Sequence, residues 1–401
     1  MMDKEIDVSR KNFGIKVVIF VILLIAGITL TTLGILGVFS FSSGYNKVTL
    51  QADDVKVNNC QVEYYGYVSG NKLAVKKKLT DMQNIYSKET NYIYKLLDEK
   101  TYDGVINIAY INANLNRDIK VDHNLYLILN DAYNKTNSDN NYSIFASYQY
   151  DRWNNIIIND LKYDPYISNE SKIDLEENLK YVNDSTNFNL IFKENDIINF
   201  SISQQYHEYR NEYEIDSPLI SLNILKDAYL VNYLKDKLND SNYSDGYLLS
   251  KDGYLTTLKN YKESSIIMFA INDQKINEAC SIKTKADTSY VLYKYFDYVE
   301  DKIYSIKKDD SSYLYRYPII NLKDSSASSF AQSFYLEGEN ITESALILLQ
   351  LTATNEAAAT NYVKENKLQF VYIKDDKVIN TFNINESDIN VTNKNYVLKT
   401  L

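Results

Sequence analysis

From Val17 to Phe41 the chain carries no Asp, Glu, Lys or Arg, and the positions are almost all apolar. A peptide group in hydrocarbon needs an internal partner, so a run of this length predicts a single helix that crosses a bilayer. Lys4, Arg10, Lys11 and Lys16 precede the run, and Lys47 stands alone behind it. The bias of positive charge toward the cytoplasm therefore assigns residues 1–16 to the cytoplasm, 17–41 to the membrane and the rest to the outside. A cleaved signal peptide is the alternative, with Ser40-x-Ser42 as a weak cleavage site; no cysteine directly follows to take a lipid.

Beyond the run, residues 42–57 are polar and read as a stalk. Leu73, Leu79, Met82, Ile85, Ile93, Leu96 and Leu97 recur at helical spacing and predict a helix over 72–99. Leu125, Leu129 and Ala132 share a face of a second helix over 123–135. A hairpin fits 186–202, turning at Glu194-Asn195-Asp196. Leu225, Ala228, Val231 and Leu238 mark a helix over 224–239, and Ser264 to Ile271 reads as a buried strand. Residues 342–366 predict one helix with Thr342 as N-cap, and 368–384 a final hairpin turning at Asp375-Asp376. Strands and helices interleave without a linker rich in Pro, Gly or Ser. The expected body is a single α+β domain over 58–385, with 386–401 as a tail.

Composition narrows the chemistry. Lys and Arg number 43 against 53 Asp and Glu, a net charge of −10 with no basic block, which argues against a nucleic-acid partner. Gly is scarce at 11 residues, and phosphate-cradling loops depend on it. With two His in the chain, His123 and His207, a histidine-rich zinc site or a Ser-His-Asp triad has little material. The two cysteines, Cys60 and Cys280, are either one disulfide or two separate thiols. Trp153 reads as core, and the pairs Asp53-Asp54, Asp309-Asp310 and Asp375-Asp376 as solvated turns. No P-loop, dinucleotide fingerprint or nucleophile elbow is present.

The order of segments over about 60–385 resembles the FAD:protein FMN transferase (ApbE-like) family. Ile108-Ala109-Tyr110-Ile111-Asn112 is similar to the family's early S-E-I-x-x-I-N stretch, and Tyr148 to Trp153 falls where the family has F-D-P-T-V…L-W. Leu222 to Leu234 aligns without gaps to L-G-G-I-A-K-G-Y-A-V-D-R-V. Tyr247 to Leu255 resembles the strand before the G-G-N/D-I turn, which places Asp252 and Gly253 in that turn. Thr288 to Phe296 is similar to T-S-G-D-Y-E-R-Y-F, Tyr317 to Asp324 to H-I-I-D-P-x-T-G, and Ser344 to Leu349 to D-A-L-A-T-A. The resemblance implies an ApbE-like fold and a membrane-tethered, extracytoplasmic protein. It implies Mg²⁺-dependent cleavage of FAD, with FMN passed to a Thr or Ser of a target flavoprotein. It also implies cofactor contacts from Tyr229, Asp252, Gly253, Thr288 and Ser289, and metal-ligand positions at Ser344 and Leu348.

The chain departs from the pattern at the polar positions. The family's Gly-Gly falls on Asn223-Ile224, its Lys on Asp227, its next Gly on Ala228 and its Asp on Asn232. The metal-binding Asp falls on Ser344 and the metal-binding Thr on Leu348. Glu343 is the candidate substitute for the missing metal carboxylate, although one residue along a helix is about 100° around its axis. In T-S-G the Gly becomes Tyr290, and the D-P-x-T-G stretch loses its Asp and Gly. Apolar positions persist better than polar ones, as expected of a chain that keeps a fold without its chemistry. The expected function is a degenerate FMN transferase, a pseudoenzyme; the alternative is a non-catalytic surface binding or assembly protein of the same fold.

Overall fold

The computed structural model describes residues 43–401 apart from 103, 273, 295, 298–301 and 310–312. The run Val17–Phe41 and the segment 1–16 lie outside the described residues; among those described, no helix is long and apolar enough to cross a membrane.

Strands are β1 Gly44–Val48, β2 Val62–Val68, β3 Asp118–Lys120, β4 Phe188–Lys193, β5 Ile197–Ile202, β6 Gly246–Ser250, β7 Tyr254–Thr257, β8 Ser265–Asn272, β9 Lys275–Lys283 and β10 Ser289–Lys294. Four short ribbon strands follow, β11 Phe296–Asp297, β12 Lys302–Ile303, β13 Ser305–Lys307 and β14 Tyr313–Tyr315, then β15 Ser333–Gly338, β16 Gln369–Ile373, β17 Val378–Phe382, β18 Ile389–Val391 and β19 Val397–Thr400. Helices are α1 Lys72–Leu96, α2 Ile108–Ala113, α3 His123–Lys135, α4 Ser147–Asn159, α5 Asn169–Asn183, α6 Gln204–Glu212, α7 Lys226–Asn239, α8 Ile341–Thr352 and α9 Glu356–Glu365.

A nine-stranded sheet, in the order β1-β2-β6-β7-β10-β15-β16-β17-β19, organises the body. Every pairing in it is antiparallel except the last, β17 with β19. Alternation along each strand sorts side chains to two faces. Val291, Phe334, Leu336, Phe370, Tyr372 and Phe382 join the core under α1, α7 and α8. Their neighbours Tyr290, Tyr335, Val371, Ile373 and Ile379 turn the other way, into a second core beneath the three-stranded sheet β18-β9-β8. A third cluster, around Trp153, Leu175 and Ile320, joins α4 and α5 to the segment after β14.

The elements at 123–135, 186–202 and 368–384 form as the pattern predicts. Asn195 and Asp196 both take positive φ, 62° and 59°, within the three-residue turn Glu194-Asn195-Asp196 that joins Lys193 to its partner Ile197. Four expectations change. The single helix over 342–366 is two helices, because Asn355 breaks the run and caps α9 by accepting from the Ala358 amide. The cap of α8 is Asn340, not Thr342: its Oδ1 accepts the Thr342 and Glu343 amides at 2.9 and 3.2 Å and the Thr342 hydroxyl. The stretch read as stalk contains β1, an edge strand of the main sheet, and the stretch read as tail contributes β18 and β19. Strand β8 is buried on one side only, since it covers the main sheet and faces solvent with its other side.

Candidate functional site

The entry to α7 is built from distant parts of the chain. Asn112 Nδ2 donates to the Ile220 carbonyl at 2.9 Å and its Oδ1 accepts the Ile220 amide at 2.8 Å. Glu99 accepts the Ser221 hydroxyl and the Leu222 amide at 2.7 and 2.8 Å. Asn223 then turns with φ of 50°, and its Nδ2 donates to Ser143 O at 2.7 Å. Asn tolerates this left-handed conformation better than other residues with a side chain, so the turn survives without glycine. The Ile224 carbonyl accepts the Tyr254 hydroxyl at 2.7 Å, and that hydroxyl lies 2.8 Å from the Tyr293 hydroxyl.

Asp227 sits buried in the first turn of α7 and accepts a hydrogen bond from the Ser250 hydroxyl. Burial holds its carboxyl above the usual carboxylate range. Asp252 follows in the turn after β6. The residue reaches solvent, yet the dense protein around its carboxyl and the neighbouring Asp227 charge push it up to about 7. Gly253 closes this turn at φ of 92°, where a Cβ would meet the Leu292 carbonyl oxygen at 2.0 Å. Cys60 lies within electrostatic reach of Asp227 and Lys226, and burial pushes its thiol up to about 12.

Behind this head, α7 packs along α8. Lys235, nearly buried on α7, donates to the Glu339 carbonyl and pairs with Asp287, both at 3.2 Å. Ser289 is fully buried, 3.1 Å from the Thr256 hydroxyl, and donates to the same Glu339 carbonyl at 3.2 Å. Thr288 donates to Ala286 O, while its amide donates to the Thr257 hydroxyl at 2.9 Å. The two residues of the T-S pair are therefore held in a polar knot among the β7 end, the β10 start and the turn before α8.

The positions that the resemblance implies as metal ligands, Ser344 and Leu348, carry no ligand set. Leu348 is fully buried in the apolar core. Ser344 is buried with its hydroxyl so close to Gly338 that a Cβ there would lie 2.2 Å from Oγ. Glu343 is exposed, one residue along the helix from Ser344. Magnesium requires near-octahedral oxygen ligands, including a carboxylate. These residues do not fit it, and among the described residues no group of three or more His, Cys, Asp or Glu is arranged to hold a metal.

Tyr229 is buried and donates to Asp131 at 2.8 Å, an internal bond between α7 and α3. Trp153 is likewise core, donating to Tyr317 O at 3.0 Å beneath the Arg316 guanidinium. His123 and His207 lie at the surface, bonded to Asp196 and Asn211. Of the sequence-predicted residues, Asp252 and Gly253 gather at the α7 head with Asp227 and Ser250. Thr288 and Ser289 gather at the α8 turn, and Tyr229 joins neither. Lys235, Asp287 and Glu99 carry no local signal; each matters only through a partner far away in sequence, whereas Asn112 lies in the stretch that resembles S-E-I-x-x-I-N.

No family model matches the sequence, and no curated protein matches it. Solved structures do. The ApbE protein of Thermotoga maritima superposes with a TM-score of 0.53 at 10% identity, over 82% of this chain and 94% of that one. The flavin transferase ApbE of Vibrio cholerae superposes with a TM-score of 0.51 at 11% identity, over 80% of this chain and 91% of that one. The described body therefore has the ApbE-like fold of flavin transferases.

Proposed function

We propose that this chain is a membrane-tethered, extracytoplasmic protein of the ApbE fold that acts by binding a partner and does not transfer FMN. The observation that carries this reading is the α8 start. Leu348 and Ser344 occupy the two metal-ligand positions, one inside the core and the other against Gly338. Phosphoryl transfer depends on neutralising charge that develops on the pyrophosphate. Asp227, where the family has Lys, brings an acidic group to an anion site. The partner class is an extracytoplasmic flavoprotein or its assembly machinery, and the anchor is Val17–Phe41.

Retained flavin handling is the second reading, favoured by the left-handed turn at Asn223 and the Asp227–Asp252 pair beside it. Titrating FAD into the full chain, with and without Mg²⁺, decides between them by flavin fluorescence. The expected result is no binding that Mg²⁺ strengthens. Micromolar binding enhanced by Mg²⁺ would establish the second reading and make an FMN-transfer assay the next step.

A further inference from the structure

The three-stranded sheet β18-β9-β8 covers the second face of the main sheet over β10, β15, β16 and β17. On β1, β2 and β6 the same face carries tyrosines. In the register Tyr45 lies opposite Tyr67, and Tyr65 opposite Tyr247. Tyr64, Val48 and Leu248, on the alternate positions, are buried under the helices. The Tyr45 ring stands 5.3 Å from both Tyr67 and Tyr247, edge-on. Tyr65 stacks on Tyr247 at 4.9 Å. Tyr261, in the segment after β7, adds its ring 5.6 Å from Tyr45, and the Lys262 ammonium lies 4.3 Å over Tyr67. All five tyrosines keep part of their surface exposed, and Lys262 is exposed. Tyr45 is locked to the Lys262 main chain in both directions, donating to its carbonyl at 2.6 Å and accepting its amide at 2.9 Å.

Two properties make this face unusual. It concentrates rings that are apolar in body and polar at one tip, with a long cationic chain beside them. It also begins at Gly44, so close behind Phe41 that the intervening chain spans about 10 Å at most. We propose that the tyrosine face is the membrane-facing surface of the body, resting in the headgroup layer of the bilayer that Val17–Phe41 crosses. This rests on reading that run as an anchor. Tyr and Lys are the residues that favour a membrane–water interface, where ring and ammonium each find their own medium. A tether this short holds β1 within reach of the headgroups, so a weak interfacial preference suffices. The contact fixes the body's orientation and directs the opposite edge of the sheet, at β19, away from the membrane.

The test uses the full chain reconstituted into vesicles of phosphatidylethanolamine and phosphatidylglycerol containing lipids brominated near the headgroup. Trp153, the single tryptophan, is buried and supplies a constant background. Tyr67→Trp is expected to lose most of its added emission to the brominated lipid. Tyr166→Trp, at an exposed position between α4 and α5, is expected to keep its emission. Tyr261→Trp repeats the measurement in case Tyr67→Trp folds poorly. Unquenched Tyr67→Trp and Tyr261→Trp in a chain that resists alkaline extraction would overturn the face and leave the anchor standing; a second copy or a protein partner would then cover the tyrosines. Equal quenching at Tyr166→Trp would overturn it as unspecific adsorption. Release of the chain by alkaline extraction would overturn anchor and face together.

Discussion

Asp252 shows how one residue's surroundings set its behaviour. Its folded-state pKa is raised to about 7, against an ordinary value near 3.9 in an unfolded chain. Between about pH 4 and pH 7 the folded state therefore holds this proton more tightly than the unfolded chain does. Its stabilising contribution is complete below about pH 4, falls as pH rises, and is gone above about pH 7. Asp252→Asn is expected to flatten the pH dependence of urea unfolding across that window. At pH 8 it should raise stability by up to about 1 kcal/mol, a figure discounted because solvent reaches the residue. An unchanged slope would show that Asp252 holds its proton no more tightly in the folded state than in the unfolded chain. At the same scale, the Arg316 guanidinium grips buried Asp164 through two bonds, 2.6 and 3.0 Å. Nothing in the spacing of 164 and 316 announces that pair.

Among the elements, α8 holds the clearest contrast between pattern and outcome. Its apolar positions make a helix legible from Ala345 to Leu351, yet the boundary depends on which polar residue reaches the free amides first. Asn340 accepts two of them, so Asn340→Ala is expected to cost about 1 kcal/mol in urea unfolding, while Thr342→Ala should cost less. Equal losses would return the cap to Thr342. The hairpin at 188–202 and the helix at 123–135 were readable because their signals are local: alternation, a turn that accepts positive φ, one apolar stripe. The edge strand β1 was not, since its polar exposed side and short length look like linker until β2 lies beside it. The segment read as stalk thus supplies Tyr45 to the tyrosine face of the main sheet.

On the scale of the whole molecule, the main sheet separates two cores, and the cysteines fall on either side of the division. Cys60 packs against the helical core and Cys280 lies in the core beneath β18-β9-β8; both are free thiols. Thermal unfolding of the chain is therefore expected at the same midpoint with and without a reductant. A midpoint lowered by reductant would require a disulfide and a different arrangement of the two layers. The same architecture places α7 against α8, which is where the ApbE-like resemblance locates its chemistry and where this chain has Asp227, Ser344 and Leu348.

Local pattern alone determined the charge-free run, the long amphipathic helix, the two hairpins and the succession of segments that resembles the flavin transferases. It also gave the expectation that no carboxylate stands at the metal-ligand positions implied by the resemblance, 344 and 348, because an absent carboxylate is visible without coordinates. Tertiary structure alone decided that Asn223 keeps a glycine-like turn, that Asp227 meets Ser250 and Asp252, and that Lys235 and Ser289 share the Glu339 carbonyl. It also decided which sheet face is covered and which is left to tyrosine. The physical reason is range. Periodicity and capping act within a few residues, whereas burial, charge coupling and face coverage depend on which distant segments come to lie together.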